Sequence, residues 1–430
     1  MEASFSMLDD LVALITSAVN DVKDEYRRLQ HPFPSLDDTK PHPLDSAHTP
    51  RKLRKAIHSI QGACLQLSTA VAMPHHTLIL RTLESLTAGC FRVITEAKVT
   101  DALKDHPQGL HISELAKATG LNAGKLGRVL RLLGSKHCFK EVRRDVWANN
   151  RLSILLSPDD HLGTYVQVGS EESYTSNTHL ADILLDPKTR DSLSIDDTAF
   201  AKHYGNSLYA WWHDHPRYFE RFRVGYPWTE APPGTLFCDV GGGLGYMAMH
   251  IAKLNPNINV MVQDLEESVN QAIGYYHGYG PELLEQDRVD FLPFDFFKES
   301  PVPGCDYYYL KHILHNWTDD AAHIILTNVK KVMKPGSRLI VQEYVIQSLS
   351  EEGSADDEEL LPRAPQPLLP NYGEGHILRY YLDIIMLELL NSAQRSLVEY
   401  KQLAERAGLE FVKAYDCGEL SAIEFKVPSS

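Results

Sequence analysis

The sequence predicts an α/β fold, with a doubly wound parallel sheet in the C-terminal half preceded by a mostly helical region of winged-helix character. Three observations carry this. After Pro232-Pro233-Gly234, short apolar runs alternate with amphipathic segments at the spacing of βαβ units. One of them, LFCDVGGGLGYMAMHIA, passes from a buried strand through a glycine turn into a helix. Upstream, HISELAKATGLNAGKLGRVLRLLGSKHCFKEVRRDVWANNRLS shows two helices followed by two short β-forming runs.

The bulk properties narrow the class. A chain of 430 residues with 43% hydrophobic content holds more than one domain and a large core. No apolar run reaches the length of a membrane span, and MEASFSMLDDLVALI puts acidic residues where a secretory signal has basic ones, so a cytoplasmic protein without a membrane partner is expected. The six cysteines (Cys64, Cys90, Cys138, Cys238, Cys305, Cys417) form no CxxC pair and read as structural thiols. A formal charge of −15 disfavours nucleic acid, leaving a small molecule as the expected ligand.

Residues 1–60 read as an extension: an amphipathic segment over 8–29, then HPFPSLDDTKPHPLDSAHTP, a Pro- and Asp-rich linker expected to drape over a partner or domain surface. Helical periodicity runs from Arg51 to about Lys104. Residues 61–155 form the winged-helix-like domain, with helices over 113–120 and 122–133 and a wing from 139–142 and 146–148. Lys125, Arg128 and Arg131 on the second helix would suit DNA, but the acidic chain favours a packing or dimerisation module. Residues 156–230 are helical and rich in rings (Tyr204, Tyr209, Trp211, Trp212, Tyr218, Phe219, Phe222, Trp228), mostly core or interface, with some placed to wall a pocket for a flat substrate.

In the C-terminal region, 231–430, strands are predicted over 236–240, 258–263, 288–292, 305–310 and 338–344, with helices starting near Gly245, Glu267 and Thr318. A last pair, 411–415 and 422–427, closes the sheet as an antiparallel edge. Between them, residues 350–374 carry seven acidic residues and four prolines, the composition of a disordered loop that could act as a lid.

The first strand ends at Asp239 and turns on Gly241, Gly242, Gly243 and Gly245, which lets backbone approach a ligand closely. Tyr246 stands where a dinucleotide fingerprint needs glycine, which weakens NAD. The second strand ends at Asp264, 264 − 239 = 25 residues on, where a carboxylate can hold both ribose hydroxyls. Further on, YLKHILHNWTDD closes the fourth strand, carries His312 and His315, and runs through a capping Thr318 into a helix. Such crossovers lie at the carboxyl edge of a parallel sheet, where ligands bind.

With DVGGGLG, VQDL, FDFF, YLKHILHNWTDD, QEYV and NSAQRS in order, the chain resembles the class I S-adenosylmethionine-dependent O-methyltransferases of the plant caffeate and flavonoid type and their fungal small-molecule relatives, over residues 60–430. The resemblance implies a Rossmann-like methyltransferase sheet, a winged-helix dimerisation domain, a homodimer, and S-adenosyl-L-methionine as cofactor with S-adenosyl-L-homocysteine as product and no metal. It assigns Asp239, Gly241, Gly242, Gly243, Asp264, Leu265, Asp295, Phe296 and Lys311 to the cofactor, with Asp264 on the ribose and Asp295 and Phe296 about the adenine. His315 falls on the family's base and Glu343 on the carboxylate that orients it, at the family's interval of 343 − 315 = 28. Asn316, Trp317, Met386 and Asn391 fall in the acceptor pocket, and His312 is left to packing or the rim. Two positions depart from the pattern: Asn316 replaces an aspartate after the base, and Gln394, also placed with the catalytic group, replaces a glutamate.

The implied reaction is methylation of a phenolic or enolic hydroxyl of an aromatic small molecule. A phenol near ~10 and an imidazole near ~6.5 differ by about 5 kcal/mol against full proton transfer in water. A nearby sulfonium favours phenolate and a carboxylate favours imidazolium, both in the needed direction. Alignment of the reactants can contribute ~7–11 kcal/mol, so positioning outweighs the base. The alternative is a methyltransferase-fold pericyclase or dehydratase that uses the bound cofactor without methyl transfer; the relatives known to do this commonly lack the base histidine.

Overall fold

The computed structural model describes residues 2–45, 49–157, 166, 169–208, 211, 232–347, 349 and 363–428. Tyr209, Trp212, Tyr218, Phe219, Phe222, Trp228 and residues 350–362 of the acidic segment, with its lid role, lie outside them. The chain forms two compact units, Met1–Arg221 and Phe222–Ser430.

In the first unit, α1 (Glu2–Arg28) lies against α2 (Arg51–Val71), burying Val22, Tyr26, Leu53 and Ala56 between them. Helix α2 runs unbroken through residue 60, where the extension was expected to end. The linker is fastened locally: Lys140 Nζ stands 2.6 Å from Asp37 Oδ2, and Arg151 Nε donates to Asp45 at 3.0 Å. Helices α3 (Pro74–Leu83), α4 (Ser85–Glu96) and α5 (Val99–Ala102) follow. The winged-helix pattern is realised. Strand β1 (Leu110–His111) precedes α6 (Ile112–Thr119), which stops at Gly120; α7 (Ala123–Ser135) starts under Asn122, whose Oδ1 accepts the Lys125 N–H at 3.1 Å. Strands β2 (Lys140–Arg143) and β3 (Val146–Ala148) form the wing, and β1 joins it to give a three-stranded sheet. Leu115, Leu126, Leu130, Leu133 and Trp147 are its apolar centre.

The second unit is a seven-stranded sheet. Strands β4 (Thr235–Val240), β5 (Ile258–Asp264), β6 (Val289–Pro293), β7 (Tyr307–Lys311) and β8 (Arg338–Glu343) are parallel, while β9 (Glu410–Cys417) and β10 (Leu420–Lys426) are antiparallel. The order is β6-β5-β4-β7-β8-β10-β9. The chain winds outward from β4 to β6, then returns to β4's other side with β7, so the winding direction reverses between β4 and β7. A crevice opens at the carboxyl ends of strands at such a switch.

Both faces of the sheet are covered, which is why its central strands are apolar throughout. On one face α8 (Tyr246–Leu254) and α9 (Glu266–Tyr279) bury Met247, Ala248, Ile251, Ala272 and Tyr276 against Phe237, Val260 and Val262. On the other, α10 (Asp319–Lys330), later followed by α11 (Ile377–Leu390) and α12 (Leu397–Arg406), contributes Ile325, Leu326 and Val329, and α12 contributes Leu403 and Ala404. Residues 363–374, expected within the disordered loop, are folded: Leu368 and Tyr372 are buried, supplying apolar surface that the acidic part of the segment lacks. All six cysteines are free thiols, three of them buried.

Candidate active site

Three chain segments converge at the switch point. The turn after β4 starts at Gly241 with φ +73°, a left-handed conformation that favours glycine. A Cβ there would stand 2.7 Å from Ile313 Cδ1 and 3.4 Å from the Phe296 ring. The β4, β6 and β7 exits thus share one small space. The Tyr276 hydroxyl donates to the Gly245 carbonyl at 2.7 Å and fixes the start of α8.

Asp264, ending β5, accepts the Gly243 N–H at 2.8 Å and the Leu265 N–H at 2.7 Å, while burial raises its carboxyl above the usual range. Leu265 itself is exposed and leads into α9. Asp295 accepts the Phe297 N–H at 2.9 Å and stands 2.7 Å from Lys298 Nζ, which holds its carboxyl low. Phe296 and Phe297 meet the Trp317 ring edge-on at 6.1 and 4.8 Å, so Trp317 lies against the aromatic patch assigned to the adenine.

Beneath this crevice lie two opposed charges. Burial pushes the Asp239 carboxyl up to about 7 against the pull of Lys311, and pushes the Lys311 ammonium down to about 7 against the pull of Asp239. Asp239 Oδ2 is buried with no hydrogen-bond partner. Lys311 ends β7, with Nζ 3.5 Å from Met247 Sδ.

The surroundings of His315 are built from residues far apart in sequence. In the β7/β8 register Lys311 lies opposite Gln342, so the residues after them, the 312–315 turn and Glu343, emerge side by side. Glu343 is fully buried, and its Oε1 accepts the N–H groups of Ile313, Leu314 and His315 at 3.0, 3.0 and 3.4 Å. Its Oε2 stands 3.2 Å from His315 Nδ1 and 3.5 Å from His312 Nδ1. Past β8, Val345 bridges Arg395, which brings Gln394 Nε2 to 3.0 Å from His315 Nδ1. The Gln394 N–H in turn donates to Asp383 of α11 at 2.8 Å.

Arg395 ties the same turn down, donating to the Leu314 carbonyl at 2.7 Å, the Trp317 carbonyl at 2.6 Å and Asp319 at 2.8 Å. Thr318 occupies the N-cap of α10, but its side chain makes no capping bond; Asp319 and Asp320 supply the acidic first turn. Asn316 donates through Nδ2 to the His312 carbonyl at 2.9 Å, a bond that an ionised aspartate cannot make.

Burial pushes the His315 imidazole down to about 4, outweighing the opposing Glu343 carboxylate, with His312 adding to the depression. This reverses the expected net direction. The carboxylate acts as anticipated, but burial of the ring, which leaves His315 only 7% exposed, disfavours its charge more strongly.

The sequence-predicted residues therefore fall into two adjoining groups. Asp239, Gly241–Gly243, Asp264, Asp295, Phe296 and Lys311 line or underlie the crevice, and His315, Glu343 and Gln394 meet at one ring nitrogen. Met386 is buried on α11 and Asn391 caps it with φ +50°. Sequence reasoning missed Arg395, beside Gln394 in NSAQRS, and the share of Glu343 taken by His312. No local pattern marks either, because each acts across the fold.

Crevice, switch point and braced histidine together describe a group-transfer enzyme with a nucleoside cofactor. Residues 233–410 match the O-methyltransferase domain family and residues 82–159 the O-methyltransferase dimerisation domain family. The chain is 39% identical over 436 residues to a protein named 3-O-methyltransferase 2 from Phanerochaete chrysosporium, covering 97% of each. It belongs to the O-methyltransferase family and is an S-adenosylmethionine-dependent methyltransferase. In fold it is similar to mitomycin 7-O-methyltransferase MmcR (TM-score 0.66, 24% identity, 84% of this chain and 100% of that one). It is similar also to a pericyclic reaction enzyme (TM-score 0.70, 21% identity, 87% and 94%) and to LepI in complex with SAM (TM-score 0.70, 20% identity, 87% and 94%). Among the described residues no helix is long and apolar enough to cross a membrane.

Proposed function

We propose that this enzyme methylates a phenolic or enolic hydroxyl of an aromatic small molecule, with His315 as general base. The observation that carries the reading is the convergence of Glu343 and Gln394 on Nδ1 of a buried histidine beside the glycine turn. The base role requires the tautomer with the ring proton on Nδ1, facing the Glu343 carboxylate at 3.2 Å and the Gln394 amide turned to present its oxygen, which leaves the Nε2 lone pair to accept the acceptor's proton.

The crevice fits S-adenosylmethionine. A side chain at Gly241 would fill it, the Asp264 carboxylate ends the neighbouring strand, and the orphaned Asp239 Oδ2 suits an ammonium donor. When bound, the cofactor supplies an electrophilic methyl group on a positively charged sulfur. Asp264 would hold the ribose, with Leu265 beside it, Asp295 and Phe296 the adenine, and Lys311 the floor. Asn316, Met386 and Asn391 belong to the acceptor side, whereas Trp317, expected there too, packs edge-on against Phe296 and Phe297 and goes with the adenine side.

With the imidazole near 4 and a phenol near ~10, full proton transfer is uphill by about 8 kcal/mol before any ligand charge acts. His315 therefore takes the proton as the methyl moves rather than beforehand, and acidic acceptors, phenols with electron-withdrawing groups or enols, should turn over fastest. The name of the 39% identical relative makes a 3-hydroxyl the first position to try.

The test is His315→Ala and His315→Gln, incubated with methyl-labelled cofactor and a panel of phenols and polyketide-like aromatics. Turnover should fall at least roughly 10²-fold with S-adenosylhomocysteine binding retained; near-normal methylation would sink the base assignment. The likeness to a pericyclic reaction enzyme keeps a second outcome in the same assay: product formed without label would select that chemistry instead.

The homodimer rests on the dimerisation-domain match and on α3, none of whose residues is buried, with Leu78, Ile79 and Leu83 exposed at 67, 55 and 49%.

A further inference from the structure

The carboxylate that braces His315 serves two imidazoles. We propose that His312, His315 and Glu343 form a binding site for a first-row divalent cation of the Zn2+ type, and that its occupation switches the base off. The inhibitory half rests on the assignment of His315 as base; the binding half does not.

One ligand atom from each of the three residues lies within 4.8 Å of the others. Glu343 Oε2 is 3.2 Å from His315 Nδ1 and 3.5 Å from His312 Nδ1. A tetrahedral ion with bonds of ~2.0–2.1 Å separates its ligands by roughly 3.3–3.4 Å, so two of the three edges already have the right length. The carboxylate is also prepared. Oε1 is occupied by three backbone N–H groups, whereas Oε2 is fully buried without a hydrogen-bond partner.

The placement of His312 is held by the fold. Its φ of +55° lies in the left-handed region, uncommon for a residue with a side chain and a mark of local constraint. Its ring stacks between His315 at 5.1 Å and Tyr344 at 5.6 Å, and Asn316 holds its carbonyl. Two imidazoles and one carboxylate suit zinc, cobalt or nickel; calcium and magnesium need more oxygen ligands than this pocket offers. Gln394 Nε2, 3.0 Å from His315 Nδ1, would have to release it.

Occupation changes the tautomer. A neutral imidazole carries one N–H and one lone pair. A metal bound at Nδ1 takes the lone pair there and moves the ring proton to Nε2, with no net proton gained or lost. No lone pair then remains to accept the acceptor's proton, and Glu343 is engaged as well.

The full-length enzyme is titrated with Co2+, followed by visible absorption, and with Zn2+ during methyl transfer, beside His312→Ala, His312→Gln and a Mg2+ control. The expected result is one Co2+ per chain with a four-coordinate absorption band. Zn2+ inhibition should need at least about tenfold more metal in either variant, since a lost ligand should cost no less than a lost supporting contact. No band in the wild-type protein overturns the site. So do superimposable inhibition curves for wild type and a folded variant, the result expected of a cysteine target such as exposed Cys64. Binding that depends on His312 yet leaves turnover untouched keeps the site and refutes His315 as base.

Discussion

Replacing Glu343 by glutamine isolates the electrostatic support of the proposed base, His315. At 3.2 Å, and with an effective dielectric constant of about 20, a carboxylate stabilises an imidazolium by about 5 kcal/mol. If roughly half a proton has moved in the transition state, glutamine forfeits about 2–3 kcal/mol, or roughly 10²-fold in kcat. A tautomer effect adds to this: the new amide would present an N–H to His315 Nδ1, favouring the form with its proton on Nε2 and no lone pair for the substrate. The backbone bonds now accepted by Oε1 can be kept by the glutamine oxygen, so folding should survive. Glu343→Gln is assayed at saturating cofactor with the best acceptor of the panel, beside circular dichroism and S-adenosylhomocysteine affinity. A folded variant that binds the product cofactor normally and keeps more than about a third of wild-type kcat refutes the coupling of Glu343 to His315.

Three further expectations follow from the geometry. Because burial holds the His315 imidazole near 4, below its ordinary value of ~6.5, the ring stays neutral as pH falls through 6; the acidic limb of kcat/KM at saturating cofactor should lie below ~6.5 and move lower still in Glu343→Gln, which removes the charge that raises it, whereas a limb at or above ~6.5 contradicts the assignment. Gly241→Ala forces a side chain into φ +73° and into the crevice, so stability should fall by about 1–2 kcal/mol in denaturant titration and S-adenosylhomocysteine affinity should drop in calorimetry; unchanged affinity would remove Gly241 from the cofactor cradle. Ile79→Glu with Leu83→Glu charges the unburied helix α3, and sedimentation velocity should show a dimer becoming a folded monomer; a wild-type protein already monomeric at micromolar concentration refutes the interface.

What could be read from the sequence depended on how local its cause is. Strands β4 to β8 were placed to within about two residues because buried parallel strands are short apolar runs. His315 and Glu343 were legible as a pair because both leave adjacent strands at the same edge. The three-way meeting at Nδ1 was not, since Gln394 arrives through the Val345–Arg395 bridge, a pairing without periodicity or motif. Asn316 read as a lost charge; in the fold it is a gained donor that closes the turn under His312. The net shift of His315 depends on how completely the ring is enclosed, a property of the packed protein rather than of any segment.

Arg395 has a consequence for how the enzyme comes to life. Its guanidinium grips Leu314, Trp317 and Asp319 across separations of 81, 78 and 76 residues, and Gln394 reaches His315 across 79. Closing loops of that length is entropically unfavourable and slow compared with forming hairpins or neighbouring βα units. The arrangement around His315 is therefore expected to be among the last things the chain acquires. In refolding, helical signal should return first and methyl transfer trail behind it, so turnover reports completed long-range assembly rather than the presence of the sheet.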